Sequence, residues 1–251
     1  MIKDLKRLIY RWVYQVMDPI KIISFVPRYI VYFSDWYKYS RIPKAEPIKI
    51  MDTYPCIFDK TETTSFDPHY FYQDIWAFKK IYESKINHHV DIGSRIDFVG
   101  FLTSITNVTF IDIRPLVTNL ENLNSIKASI LSLPFEDNSI TSISCLHVAE
   151  HIGLGRYGDP LDSEGTYKVC KELQRVLAKG CNLYFSLPVW KPKLCFNAHR
   201  IHSPQQILNY FNDLKLIEFS GVDDQGHFMS KVDISLFGES SYADGLFWFK
   251  K

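Results

Sequence analysis

The sequence predicts an α/β fold: a mostly parallel sheet covered by helices on both faces. Three observations carry this prediction. From about residue 88 onward, short apolar runs rich in β-branched residues alternate with stretches of helical spacing. Two of the runs end in residues suited to the carboxyl edge of such a sheet, Gly93 after the first and Asp112 in the second. The 251 residues, 46% hydrophobic and 23% charged, suffice for one such domain with an accessory segment, and they exclude disorder as the dominant state.

The elements follow in order. A helix is predicted near 70–84, a strand over His89–Ile92 and a helix over Phe98–Ile105. Strands follow over Val108–Ile113, Ile126–Ala128 and Ile140–Leu146. A helix over Ser163–Ala178 is expected to stop at Lys179-Gly180, because glycine ends helices readily. A strand over Leu183–Val189, a helix over Pro204–Phe211 and a strand over Leu216–Phe219 come next, with Val232–Phe237 read as the last strand. His88-His89, just ahead of the first strand, is read as facing solvent rather than as a ligand pair.

Residues 1–87 are read as an N-terminal helical and aromatic extension or lid, and residues 88–251 as the main domain. Pro43, Pro47, Pro55 and Pro68 punctuate an irregular connection within the extension. Residues 1–44 carry nine Lys/Arg, among them Lys3, Arg7, Arg11, Lys21, Arg28 and Lys38, against three Asp, together with ten aromatics. Two readings stand side by side: a helical cap packed on the main domain or on a second subunit of a homodimer, and a peripheral contact with a membrane surface.

Composition narrows the partners. The 29 basic and 28 acidic side chains nearly cancel, so no overall field for gripping nucleic acid exists, and nucleic acid is not an expected partner. The five cysteines form no CxxC pair, which points away from a disulfide framework and toward a reducing, cytoplasmic compartment. No signal peptide is expected, and Ile20–Phe33, broken by Lys21, Pro27 and Arg28, is too short to span a bilayer.

Chemistry is expected beyond the carboxyl ends of the strands. The first strand–loop–helix reads VDIGSRIDFVGFL over Val90–Leu102, where Gly93 lets the backbone turn and approach a ligand. It is not GxGxxG, so a dinucleotide is not supported. Asp112 closes the second strand, where a carboxylate can accept ribose hydroxyls. Then come LPFEDNS (Leu133–Ser139), the pair Glu150-His151, and ELQRVLAKGC (Glu172–Cys181).

This order of motifs, over about residues 88–222, resembles class I S-adenosylmethionine-dependent methyltransferases. EHIGLGRYGDP (Glu150–Pro160) and FNAHRI (Phe196–Ile201) resemble a little-characterised branch, a domain of unknown function often found with bacterial surface-polysaccharide genes. The resemblance implies a Rossmann-like, mostly parallel sheet of seven strands and S-adenosyl-L-methionine as cofactor, with S-adenosyl-L-homocysteine as product. It implies that Asp91, Gly93 and Ser94 face the methionine part of the cofactor. It further implies that Asp112 binds the ribose, that Ile130 and Leu131 flank adenine, and that His147 opens the segment lining the methyl-transfer pocket. The chain departs from the pattern at Arg95 and Ile96, which replace later glycines of the first loop. Ser129 stands where many members carry an acid, and Thr141 replaces an Asp.

On the acceptor side, the loop after the fourth strand holds Glu150, His151, Arg156, Tyr157 and Asp159 among three glycines, and Asn197, His199 and Arg200 follow the fifth strand. His151 or His199 is expected to be the general base, with Asp159 orienting one of them and Tyr157 binding or deprotonating the acceptor. Glu150, Asn197, Arg156 and Arg200 are expected to bind substrate, the arginines through a carboxylate or phosphate. No recognised metal-ligand motif is present, and no metal is expected. Tyr70, Tyr72 or Trp76 is expected to touch substrate if the extension acts as a lid. The function expected is O-methylation of a small phosphate-bearing or sugar-like precursor in capsule or surface-polysaccharide synthesis, since bases are available and no NPPY-like run for a nitrogen acceptor occurs. The alternative is an inactive methyltransferase-fold scaffold.

Overall fold

The computed structural model describes residues 17–237 and 242–251, together with residues 6, 10 and 12–14. Lys3, Arg7 and Arg11 of the basic stretch lie outside the described residues. The chain divides into two units, residues 1–65 and residues 66–251.

In the first unit, helix α1 (Pro19–Ser40) starts where Asp18 accepts hydrogen bonds from the Ile20 and Lys21 amides, with Pro19 in the first turn, where its missing N–H costs nothing. None of its residues is buried. The proline-rich stretch after it is irregular except for a 3-10 turn at Ile50–Asp52. It is tied to α1 by Arg28, which donates to the Ile57 carbonyl and stacks on the Phe58 ring.

The second unit begins with helix α2 (Pro68–Ser84), capped by Asp67 and ended by Lys85 in the left-handed region. Then come β1 (His88–Ile92), α3 (Ile96–Leu102), β2 (Asn107–Asp112), β3 (Leu123–Lys127) and β4 (Ile140–Leu146). They are followed by α4 (Gly165–Val176), β5 (Leu177–Val189), β6 (Lys193–Cys195), β7 (His199–Ile201) and α5 (Pro204–Tyr210). The last three are β8 (Lys215–Val222), β9 (Phe228–Met229) and β10 (Ala243–Lys250). The sheet order is β3-β2-β1-β4-β5-β10-β8-β9, while β6 and β7 form a separate hairpin. Strands β3 to β5 pair in parallel, and β10 runs antiparallel to both β5 and β8. The α/β class and Rossmann-like sheet are as the sequence predicts.

Each face of the sheet has its own core. Alternation along a strand sends neighbours to opposite sides: Tyr184 and Leu246 join Trp76, Phe98 and Leu102 under α2 and α3, whereas Phe185 and Phe247 join Val169, Leu173 and Phe211 under α4 and α5. Burying a Phe or Leu side chain of this kind contributes about 1.5–3 kcal/mol.

The structure corrects several expectations. The sheet has eight strands among the described residues, not seven. Val232–Phe237 is not a strand: the Asp233 side chain accepts from the Ser235 amide and starts a 3-10 turn, which buries Phe237 against Phe219. The last strand is β10, beyond the run expected from the sequence. Helix α4 stops at Val176 rather than Ala178, because the Arg175 and Val176 carbonyls accept from Asn138 and Ser139 and Leu177 turns extended to pair with Ile140. His89 does not face solvent: its ring is fully buried between the Ser142 and Ser144 hydroxyls, at 2.8 and 2.7 Å.

Candidate functional site

The order β2-β1-β4 reverses direction at β1, and the loops after β1 and β4 diverge there, which is where open α/β sheets bind ligands. A cavity of about 380 Å³ lies at this point. Its walls come from Ile92 and Gly93, Ile111–Arg114, Ala128–Leu131, His147, Val148, His151, Ile152 and Tyr157–Pro160.

Gly93 has φ +63°, and a Cβ there would lie 3.2 Å from a Val148 methyl and 3.6 Å from Asp112 Oδ2. A side chain at this position would fill the space in front of Asp112, so glycine keeps the cradle open. Asp112 anchors one oxygen by accepting the Arg114 amide, at 2.6 Å, while Oδ2 faces Gly93. Ile111, Ile113 and Ile130 supply apolar walls. The Ser129 hydroxyl accepts from the Leu131 amide at 3.2 Å and shapes this turn. These residues fit a nucleoside: a carboxylate with a free oxygen beside an apolar slot. Gly93, Asp112, Ile130, Leu131 and His147 all line the cavity, as does Ser129.

Asp91 and Ser94 lie beneath it. Asp91 is fully buried, accepts the Ser94 amide and the Ser144 hydroxyl, and its carboxyl is pushed up to about 6 by burial. Ser94 in turn accepts from the Leu146 amide, stitching β1 to β4.

β4 ends in a tight turn. His147 has φ +54° and donates its amide to the Ser186 carbonyl, and the 3-10 turn Ala149–His151 then drives Glu150 fully inside. His147 Nδ1 lies 3.1 Å from Glu150 Oε1, and Nε2 lies 3.0 Å from Asp244 Oδ1. These are close ion pairs with poor hydrogen-bond alignment. Burial alone would discharge His147, but the Asp244 and Glu150 carboxylates outweigh it and hold the imidazole well above its ordinary value. Burial raises the Asp244 carboxyl despite the neighbouring imidazole, whereas at Glu150 burial is outweighed by the imidazole, which lowers the carboxyl. Tyr70 packs over this ring at 5.2 Å, and Tyr242 stacks on His69 at 5.5 Å.

His151 behaves oppositely. Burial lowers its pKa, and Nδ1 lies 2.5 Å from the Ala198 carbonyl. Nε2 lies 3.5 Å from Glu150 Oε1. His199 is half-buried, packs on Tyr242 at 5.5 Å and does not line the cavity.

The rest of the predicted acceptor group holds the loop together. Asp159 accepts the Gly153 and Tyr157 amides. Arg200 donates to the Ile152 and Asp162 carbonyls, and Asn197 donates to the Leu154 carbonyl at 3.4 Å. Arg156 donates to the Ala198 carbonyl at 3.1 Å and lies 5.0 Å from the Tyr157 ring centre. Arg114, missed in the sequence although it sits two residues beyond Asp112, lies 4.2 Å from the same ring. Asp244 was also missed, because β10 was not recognised. Of the three α2 aromatics expected to touch substrate, Tyr70 packs on His147 beside the site, whereas Tyr72 stacks on Phe228 and Trp76 donates to Glu218 in the core. Among the described residues, no group of three His, Cys, Asp or Glu side chains is arranged to hold a metal ion.

A family described as "Caenorhabditis protein of unknown function, DUF268" matches residues 117–234. No curated protein matches the chain. Solved structures do. One, described as a sarcosine dimethylglycine methyltransferase from Galdieria sulphuraria, is 15% identical with a TM-score of 0.52, over 72% of this chain and 86% of that one. Another, a geranyl diphosphate methyltransferase in complex with SAM, is 13% identical with a TM-score of 0.51, over 71% of this chain and 84% of that one. The chain therefore has the Rossmann-like fold of the class I S-adenosylmethionine-dependent methyltransferases.

Proposed function

We propose that this protein methylates a hydroxyl of a small phosphate-bearing or sugar-like acceptor, with S-adenosylmethionine as donor. The observation that carries the reading is the cavity at the switch point, in which the open cradle of Gly93 and Asp112 shares one space with His151. When bound, S-adenosylmethionine supplies an electrophilic methyl group on a sulfonium. Asp112 would accept ribose hydroxyls through Oδ2, and Ile111, Ile113 and Ile130 would flank the base.

His151 is favoured over His199 as the base, because of the two only His151 lines the cavity. Its lowered pKa keeps the ring neutral at neutral pH and ready to take a proton. Nδ1 meets both the Ala198 carbonyl and, at 3.2 Å, the Arg156 guanidinium; in the tautomer that donates to Ala198, Nε2 is the acceptor. Glu150, 3.5 Å from Nε2, stabilises the imidazolium as the proton arrives. Arg114 and Arg156, gathered on Tyr157 at the rim, suit a phosphate or carboxylate on the acceptor, while Arg200 is spent on the loop. A precursor of a surface polysaccharide, which the sequence resemblance implies, has this chemistry.

Calorimetric titration with S-adenosylhomocysteine tests the cofactor half. Micromolar binding by wild type that is lost in Asp112→Ala supports the reading. Turnover with phosphorylated but not uncharged sugars supports the acceptor half. A folded wild-type protein that binds no S-adenosylhomocysteine would overturn the proposal in favour of the inactive scaffold.

A further inference from the structure

Helix α1 is amphipathic over its whole length, yet none of its 22 residues is buried. On a helical projection, Phe25, Tyr29 and Trp36 adjoin a stripe of Ile23, Val26, Ile30, Phe33 and Tyr37, so that apolar side chains cover about half the circumference. Ile23 is 81% exposed and Ile30 66%. The opposite half carries Lys21, Ser24, Arg28, Ser34, Asp35 and Lys38, interrupted by Ile20, Val31 and Tyr39.

We propose that α1 docks flat on an anionic lipid surface, with the Ile23–Tyr37 face entering the headgroup layer. Three features select this occupant over a second copy of the chain. First, the apolar arc is much wider than the narrow seam of a coiled coil, and a broad face suits a plane. Second, Lys21 borders the apolar arc on one side and Arg41, at the C-cap, on the other: these long basic side chains reach anionic headgroups while the arc enters the layer, whereas in a paired second copy the same basic edges would meet. Third, the face is rich in Tyr and Trp, which suit a layer apolar on one side and wet on the other. The helix lies on the bilayer and does not cross it: no helix among the described residues is long and apolar enough to span a membrane.

The test is flotation of the full-length protein with vesicles of phosphatidylcholine containing one third phosphatidylglycerol, against phosphatidylcholine alone. Two variants accompany it, Ile23→Glu with Ile30→Glu, and Lys21→Gln with Arg41→Gln. All four positions are exposed, and circular dichroism checks the fold. Wild type is expected to float with the anionic vesicles, about tenfold or more better than with neutral ones. The glutamate pair should abolish flotation and the glutamine pair should weaken it about tenfold. Wild type that does not float, or flotation unchanged by the glutamate pair, overturns the proposal. So does a wild-type dimer by light scattering that the glutamate pair makes monomeric without any vesicle binding, which would assign the face to a second copy.

Discussion

Asp91→Asn should stabilise the protein near neutral pH relative to acid, by an amount the structure sets. The Asp91 carboxyl is fully buried on β1, and burial pushes it from its ordinary 3.8 up to about 6, against the opposing pull of the Ser144 hydroxyl and Ser94. Its folded value lies above its unfolded one, so the folded state holds the proton more tightly. The contribution to stability is fully present below pH 3.8 and is lost as pH rises through 6. At 1.36 kcal/mol per unit the loss is about 3 kcal/mol. Asparagine keeps both contacts, accepting from the Ser94 amide and donating to Ser144, whose hydroxyl proton, given to Asp91 in the wild type, is then free to turn toward His89. Urea unfolding of both proteins from pH 4 to pH 7.5 isolates the effect, because every other group cancels in the difference. That difference should move by about 2.5 kcal/mol in favour of Asn between the two ends. Parallel pH curves would refute the reasoning. Because Asp91 lies beneath the cavity rather than on its wall, S-adenosylhomocysteine affinity should change less than about tenfold. Complete loss of binding would put this carboxylate in contact with the cofactor.

Three further outcomes are expected. His151→Ala should lower turnover by roughly 10²–10⁴-fold and leave S-adenosylhomocysteine affinity intact by calorimetry; because burial lowers the wild-type pKa, the rate should be flat above pH 6.5 and fall only on the acid side. Asp244→Asn should cost about 1.5–3 kcal/mol in urea at pH 6, by removing one of the two carboxylates that hold His147 charged and leaving the imidazolium to Glu150 alone. The raised His147 value means that the wild-type contribution is complete below pH 6.5 and fades as pH rises through the folded value, so the two unfolding curves should converge toward alkaline pH. Gly153→Ala should destabilise by about 1–3 kcal/mol in thermal or urea unfolding, because φ is +82° and the new Cβ would lie 2.2 Å from the Asp162 carbonyl oxygen.

The parts of the site legible in the sequence are those whose reason is local. Gly93 is required by the turn it sits in, and Asp112 is marked by ending an apolar strand, so each announces its place without knowledge of anything distant. The acceptor loop is different. Its dense set of Glu, His, Arg, Tyr and Asp reads as substrate chemistry, but a loop turned by Gly153, Gly155 and Gly158 at positive φ has no backbone ladder of its own. Buried amides and carbonyls must then find side-chain partners, and Asp159, Arg200 and Asn197 meet that demand. Residue type cannot separate a side chain that satisfies the loop from one that faces the ligand. Asp244 fails to show for the converse reason. Its local sequence is an ordinary strand start, and its meaning comes only from β10 inserting antiparallel beside β5, which carries a carboxylate from the far end of the chain to the ring of His147. The groups left for an acceptor are therefore those that line or rim the cavity after the loop's own needs are met: His151, Tyr157, Arg114 and Arg156. Three of these four, His151, Arg156 and Tyr157, sit on the loop itself, so substitutions that loosen it, Gly153→Ala first, should impair turnover even where the cofactor still binds.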